Sequence, residues 1–400
     1  MLKVGIDTAA FYTPPYYLDL KTLAAARQVP AEKFYQGLGQ EKMAVIPPDE
    51  NIVTMAANAA RIALESVNLD DIDLLLFSTE SGIDYSKSAG IYVHRLLGLS
   101  KKCRVLELKQ ACYSGTAGLR IAMSMLETGA CKKALWIASD IARYGLNTSG
   151  ESSQGGGAVA MVLSRNPRLL TIEAECGFHS EDVMDFWRPN YRSEALVEGK
   201  YSCELYLRLL RETFSQYSEL SGRHFKDHAQ FCYHVPMPRL AEKAHQKLTM
   251  ITTKHKLSDA ETQSALSANL QYNRVMGNCY TAALFLSLIS LLDNNPDDLS
   301  HQRVGFYSYG SGCTAEFFSG VIQPGYQNQL HRHYHHELLN TRTELNQAQY
   351  EVFYNFKYPV DESHLIIPSY TRGFYRISEI KDHQTLYEVS TVLEENCCMS

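Results

Sequence analysis

A cysteine, a glutamate and a histidine stand where apolar strands end, and together these residue types can carry acyl chemistry. Cys112 lies between a short strand, Arg104–Leu108 (RVLEL), and a helical run, CYSGTAGLRIAMSMLE. A thiol at a strand-to-helix turn faces free backbone N–H groups and the positive end of the helix dipole, which favour the nucleophilic thiolate. A buried structural cysteine is the alternative. Glu80 closes the apolar run LLLFSTE. A carboxylate at the carboxyl end of a strand borders the crevice where α/β sheets bind ligands, and burial there raises its pKa towards that of a general base. A solvated strand-end residue is the alternative. His234 ends AQFCYH, just before Val235-Pro236, and matches in the second half the place of Glu80 in the first. A hydrogen-bonded interfacial histidine would look the same.

Other motifs divide into those that fit such a site and those that do not. Asn278 opens the second apolar helix as Cys112 opens the first, as a cap or as a polar contact at the cleft. The segment Tyr307–Gly312 (YSYGSG) presents either backbone N–H groups to a carbonyl oxygen or a plain turn. Gln154-Gly155-Gly156-Gly157 lacks the spacing of a nucleotide-phosphate loop. The ten cysteines form no CxxC pair and no zinc-type Cys/His spacing, so reduced thiols in the cytosol are expected. His331, His333, His335 and His336 read as a surface helix, because no carboxylate or cysteine completes a familiar ligand spacing.

Two similar successions of elements would position these residues. The first runs through Ile72–Glu80, Arg104–Leu108, the helix after Cys112, Ala134–Asp140 and Ala158–Leu163; the second through Ala229–His234, the helix CYTAALFLSLISLLD, Arg303–Tyr309 and Phe317–Ile322. A helix apolar nearly all round must be buried on most sides. The expectation is a layered α/β molecule with two such helices held between two sheets, built by duplication of one unit, with halves at residues 1–165 and 166–400. Residues 167–199 read as an inserted loop or cap, and Ala244–Leu270 as a helical insertion. The apolar stretch Tyr280–Leu292 is too short to span a bilayer, and Asp7, Pro14 and Pro15 break the N-terminal one, so neither a signal peptide nor a membrane span is expected. With 400 residues, a net charge of −6 and a pI near 6.2, the chain gives no reason to expect a nucleic-acid partner.

Taken in order, TESGID around Glu80, KQACYSG around Cys112, ARYGLN (142–147), QGGGAVAM (154–161), DFWRP (185–189), CYHVP around His234, NRVMGNCYTAALFLSLISLL (273–292) and YSYGSG (307–312) resemble the hydroxymethylglutaryl-CoA synthases of the thiolase-like superfamily. The resemblance implies a five-layer αβαβα core, a homodimer, a cytoplasmic location, and condensation of acetyl-CoA with acetoacetyl-CoA to 3-hydroxy-3-methylglutaryl-CoA and CoA, as in the mevalonate pathway. It implies Cys112 as the acetyl-carrying nucleophile, Glu80 as general acid/base and His234 as the acetoacetyl-binding residue. Tyr144, Asn278 and Ser308 match positions near the acyl groups. Arg239 and Lys243 match a basic segment that meets CoA, with Arg239 standing where many members have lysine. No metal or redox cofactor is implied. ESGIDYSKS and CYSGTAG also resemble the polyketide β-branching subfamily, whose acceptor rides on an acyl carrier protein. A non-catalytic thiolase-like protein is a further alternative. The opening segment, GLGQEKMAV and DFWRP favour the metabolic reading.

Overall fold

The computed structural model describes residues 3–390; Cys397 and Cys398 lie outside the described residues. In chain order, the elements that matter here are β1 Val4–Tyr12, α1 Ile52–Ala63, β2 Ile72–Ser78, α2 Ala89–Leu96, β3 Arg104–Leu108, α3 Ser114–Thr128, β4 Lys133–Ala142, β5 Gly155–Arg165, β6 Leu170–Ser180, α4 Gly199–Ser221, β7 Gln230–Tyr233, α5 Pro238–Thr253, α6 Ser267–Met276, α7 Ala283–Asn294, β8 Arg303–Gly310, β9 Thr314–Ile322 and α8 Arg332–Asn340.

The strands lie in the order β7-β8-β9-β6-β1-β5-β4-β2-β3. Read outward from the centre, β1-β5-β4-β2 and β6-β9-β8-β7 are the same arrangement. In each, the first two pairings are antiparallel and the last is parallel. The first half adds β3 as an outer parallel strand. This correspondence is the structural form of the duplication.

Side-chain alternation then builds the layers. Along β2, Leu74 and Leu76 face a central core that includes Leu119 and Leu126 of α3 and Leu284, Leu288 and Leu291 of α7. Leu75 and Phe77 face the opposite way, onto α1 and α2. In the second half Val304, Phe306 and Phe318 face the same central core, while Tyr307, Tyr309 and Phe317 pack on α4 and α5. Strands buried on both faces read as continuous apolar runs, and helices between two sheets are apolar all round. The succession is therefore helices, sheet, helices, sheet, helices: the expected five layers.

Four expectations need correction. The two sheets are hydrogen-bonded into one, because β1 and β6 pair at Gly5↔Thr171 and Ile6↔Leu170. Gly5 permits this join, since a Cβ there would stand 2.1 Å from the Leu170 carbonyl oxygen. The segment read as a loop at 167–199 contains β6, an eleven-residue strand whose alternation LTIEAEC is of period two. Neither polar site residue opens its helix: Cys112 precedes α3 by two residues, and a 3₁₀ turn, Tyr280–Ala282, separates Asn278 from α7. Finally, α8 is not all surface. His335 is fully buried, stacked on Phe11 at 4.4 Å, with Nδ1 2.7 Å from Asp293 Oδ2 and Nε2 accepting from the Phe11 N–H at 3.2 Å. Among the described residues no helix is long and apolar enough to cross a membrane.

Candidate active site

The chain reaches Cys112 through a constrained turn. Ala111 has φ +44°, a left-handed conformation unusual for a residue with a Cβ. The turn is fixed from several sides: Ser114 Oγ donates to the Ala111 carbonyl at 3.0 Å, and Ser78 Oγ donates to the Ser114 carbonyl at 2.9 Å. Gly310, at the end of β8, lies against it so closely that a Cβ would stand 2.5 Å from the Tyr113 nitrogen. Trp136 of β4 donates from Nε1 to the Gly115 carbonyl at 2.8 Å, holding the first turn of α3 against the sheet.

In this setting the Cys112 thiol donates to Glu80 Oε1 at 2.8 Å. Burial, then the negative charge of Asp140, push the Glu80 carboxyl up to about 8, with the Cys112 hydrogen bond and Arg188 pulling the other way. Burial, then the Glu80 charge, push the Cys112 thiol well above its usual range. The expectation that the surroundings favour a resting thiolate is thus corrected. Burial, together with a carboxylate in contact, outweighs the helix dipole, and the nucleophile rests as a thiol whose proton points at a base.

Asp140, fully buried at the end of β4, organises the ground beneath this pair. It accepts from the Glu80 N–H at 2.9 Å and the Thr79 hydroxyl at 2.9 Å, and from the Thr281 N–H at 3.1 Å and hydroxyl at 2.5 Å. One carboxylate therefore joins the strand end carrying Glu80 to the turn that follows Asn278. Asn278 Oδ1 accepts from the Tyr280 N–H at 2.9 Å, and Tyr280 itself holds a positive φ of 41°. Tyr144 and Tyr280 pack together with Cys112 and Phe186 against them. Burial drives the Tyr144 phenol up, offset in part by the neighbouring Tyr280 and Asn278. Arg188 donates to the Glu80 carbonyl. A cleft of about 860 Å³ begins at Glu80 and passes Tyr85, Leu106, Lys109, Arg188 and Asn190.

The second half contributes His234. It follows β7 directly, its N–H donates to the Tyr307 carbonyl at 2.7 Å, and its carbonyl accepts from the Tyr206 hydroxyl at 2.8 Å. Burial alone pushes its imidazole down to about 3, so it stays neutral near neutral pH. Because Tyr233 pairs with Tyr307, His234 comes level with Ser308 on β8, whose hydroxyl accepts from Thr116 of α3 at 2.8 Å. Ser308 thereby links the second-half strand ends to the helix that follows the nucleophile.

Arg239 and Lys243 sit apart from this group, on α5. Arg239 bonds Glu242 at 2.7 Å and Asp259 at 2.5 Å, so its guanidinium is already occupied. Arg274 bonds the same Glu242 at 2.6 Å. Lys243 is exposed. The two cations therefore differ: Arg239 is held by carboxylates, and Lys243 stands open to solvent.

Sequence reasoning missed Asp140, Arg188 and Tyr280. Arg188 and Tyr280 lay inside quoted motifs and Asp140 ended a strand, yet a strand-end aspartate and a loop arginine carry no distinguishing signal until the fold sets them beside Glu80. QGGGAVAM is also explained. Its glycines allow β5 to lie against the Asn278 turn, where a Cβ on Gly155 would stand 2.4 Å from the Met276 carbonyl oxygen.

A five-layer α/β frame, duplicated, with a thiol at the strand-to-helix turn of one half and a histidine at the matching strand end of the other, is a thiolase-like arrangement. Two family models extend the match along most of the chain: hydroxymethylglutaryl-coenzyme A synthase N terminal over residues 2–167, and the corresponding C terminal over 171–269 and 241–367. The chain belongs to the hydroxymethylglutaryl-CoA synthase family. It is 40% identical over 353 residues to a hydroxymethylglutaryl-CoA synthase of Enterococcus faecalis, covering 88% of this chain and 92% of that one. A polyketide biosynthesis 3-hydroxy-3-methylglutaryl-ACP synthase of Bacillus subtilis is 36% identical over 374 residues, 88% of each. A crystal structure of an HMG-CoA synthase complexed with CoA superposes with a TM-score of 0.91 at 35% identity, covering 97% of this chain and all of the other.

Proposed function

We propose that this enzyme condenses acetyl-CoA with acetoacetyl-CoA to give 3-hydroxy-3-methylglutaryl-CoA and CoA, with the acetyl group carried on Cys112. The observation that carries the proposal is the Cys112 thiol aimed at Glu80 at 2.8 Å. As the thiol sulfur attacks the acetyl carbonyl, its proton passes to Glu80 and onward to the departing CoA sulfur. The acetyl-thioester methyl is acidic, and the Glu80 carboxylate takes a proton from it. The enolate carbon bonds to the ketone carbon of acetoacetyl-CoA, and the proton on Glu80 returns to the new alkoxide. His234, held neutral by burial, donates a hydrogen bond to that oxygen without bringing a charge. Water then cleaves the Cys112 thioester, freeing the thiol and the product carboxylate. Asn278, Tyr144 and Ser308 line the acyl groups, and Lys243 meets a CoA phosphate at the entrance. The steps are acyl transfer, carbon–carbon bond formation, hydrolysis and proton transfer; none changes the overall oxidation state of the reactants, and the proposed mechanism uses no metal or redox cofactor.

The working form is a homodimer, in the cytoplasm. Among the described residues the outer edge of β3 is unpaired, Leu106 there is 52% exposed, and Ile83, Tyr85 and Ile91 stand exposed in the adjoining segments. A strand edge with apolar neighbours pairs readily with a second copy. Light scattering of the protein at micromolar concentration, with Leu106→Lys as the disrupting variant, tests this.

For the chemistry, incubation with acetyl-CoA is expected to add one acetyl group, located on Cys112 by peptide mass analysis, and Cys112→Ser is expected to prevent it. A stable adduct on another cysteine would overturn the assignment.

A further inference from the structure

Residue 113, next to the nucleophile, is tied across the molecule to the second half. The Tyr113 hydroxyl donates to Glu316 Oε2 at 2.7 Å. The other oxygen of the same carboxylate, Oε1, accepts from Arg120 Nε at 2.6 Å, and Arg120 lies over the ring of Phe318. Glu316 is only 3% exposed, although it is charged in type and belongs to β9, whose residues are mostly apolar and which carries no other charged residue. Its β8 partner in the ladder is Ser308, which bonds Thr116. Two adjacent strands of the second half thus hold Tyr113, Thr116 and Arg120, three successive points around the start of α3.

A buried carboxylate is costly unless it is paired and hydrogen-bonded. Both oxygens of Glu316 are engaged, and both engagements bear on the segment that presents Cys112. That segment carries the positive φ of Ala111, a conformation that lasts only where surrounding contacts over-determine it.

We propose that Glu316 is a positioning residue. Through Tyr113 and Arg120 it keeps the Gln110–Tyr113 turn in the geometry that points the Cys112 sulfur at the acyl carbonyl. The inference rests on the acetyl-cysteine reading above. A small displacement of a reacting atom is enough to slow a step strongly without altering substrate binding.

The test is single-turnover acetylation of Cys112 by acetyl-CoA, measured in Tyr113→Phe, Glu316→Leu, Glu316→Gln and the Tyr113→Phe/Glu316→Leu double variant. Tyr113→Phe removes only the hydroxyl and leaves the Glu316–Arg120 pair. Glu316→Gln keeps an oxygen for Tyr113 to donate to. The expected result is a fall in acetylation rate of roughly ten- to a hundredfold in Glu316→Leu, a fall of the same order in Tyr113→Phe, and substantial rescue in Glu316→Gln. The double variant is expected to be no slower than Glu316→Leu, because the two side chains act through one bond. The KM for acetyl-CoA is expected to move less than about threefold. A purely structural role would instead lower thermal stability with the acetylation rate intact. A native rate in folded Glu316→Leu, or effects that multiply in the double variant, would overturn the proposal. Should Glu316→Leu not fold, a native rate in Tyr113→Phe overturns it equally. Failure of the unaltered protein to acetylate Cys112 would instead overturn the acetyl-cysteine reading itself.

Discussion

The matching strand ends of the two halves occupy equivalent places in the same topology and have opposite electrical characters. In the first half Glu80, Cys112 and Asp140 crowd three acidic groups together, and burial with mutual repulsion raises the carboxyl and the thiol. In the second half burial alone depresses His234. Low dielectric acts on both, but it favours the neutral form of each group, so it moves acids up and bases down. One frame thereby yields a half that exchanges protons at working pH and a half that offers fixed, uncharged hydrogen bonds.

The comparison breaks most readily at Glu80. Glu80→Gln is expected to lower the condensation rate by roughly 10²-fold or more, the usual scale for a lost general base. Acetylation of Cys112, followed by mass, is expected to slow less, since that step moves a thiol proton, which is far more acidic than the thioester methyl proton that condensation must remove. Near-normal condensation in Glu80→Gln would move the proton chemistry to another group and erase the contrast between halves.

Its pH dependence sharpens the same point. The carboxylate form of Glu80 is the base, and it is lost as pH falls through about 8. Below that value kcat/KM for acetyl-CoA is expected to fall about tenfold per pH unit. His234, neutral at all pH values above about 3, adds no limb to the profile in this range. In His234→Asn the use of acetoacetyl-CoA is expected to drop while the acid limb stays in place. A limb that moved with His234 would show that the second half titrates after all.

A third measurement concerns what carries the acceptor, since one relative is a polyketide biosynthesis 3-hydroxy-3-methylglutaryl-ACP synthase. The net charge of −6 is a poor match for an acidic carrier surface, and the metabolic reading expects free acetoacetyl-CoA to be used well. A kcat/KM at least roughly tenfold higher for acetoacetyl on a carrier protein, about 1.4 kcal/mol of transition-state preference, would overturn the CoA assignment while leaving the contrast between halves intact.

The layered fold was legible because buried strands and sandwiched helices announce themselves as unbroken apolar runs. Glu80 and His234 were legible as polar residues terminating such runs. What failed to show was anything created by contact between distant segments. The charge state of Cys112 could not be read from a helix start, because its controlling partner stands thirty-two residues away in sequence. Asp140 looked like the end of a strand, and its four hydrogen bonds join segments up to 141 residues apart. β6 is masked in the sequence despite its visible alternation, because the aromatic, polar stretch after it dominates the composition of 167–199. Arg239 has one partner on its own helix, Glu242, but the other, Asp259, lies beyond that helix and is not legible from the local sequence.

The smallest effect expected falls on the second half's binding surface, and it separates two cations that the sequence treated alike. Lys243 is exposed, so Lys243→Ala removes the proposed phosphate contact without disturbing its surroundings. The expected outcome is a rise of a few-fold in KM for acyl-CoA with kcat nearly unchanged, because uniform binding is lost far from the bond-making atoms. That rise is expected to shrink at high ionic strength, where exposed charge contacts are screened. Arg239 is held by Glu242 and Asp259, and Glu242 is itself buried. Arg239→Ala is therefore expected to appear in thermal or denaturant unfolding, as a loss of about 1.5–3 kcal/mol for a hydrogen bond to a buried charge, with KM moving less than in Lys243→Ala. Glu242 keeps Arg274 as a partner at 2.6 Å, which limits the loss. Were Arg239→Ala to raise KM more than Lys243→Ala while leaving stability unchanged, the guanidinium would have to leave its carboxylates when CoA binds, and the second half would be less rigidly preset than its neutral histidine implies.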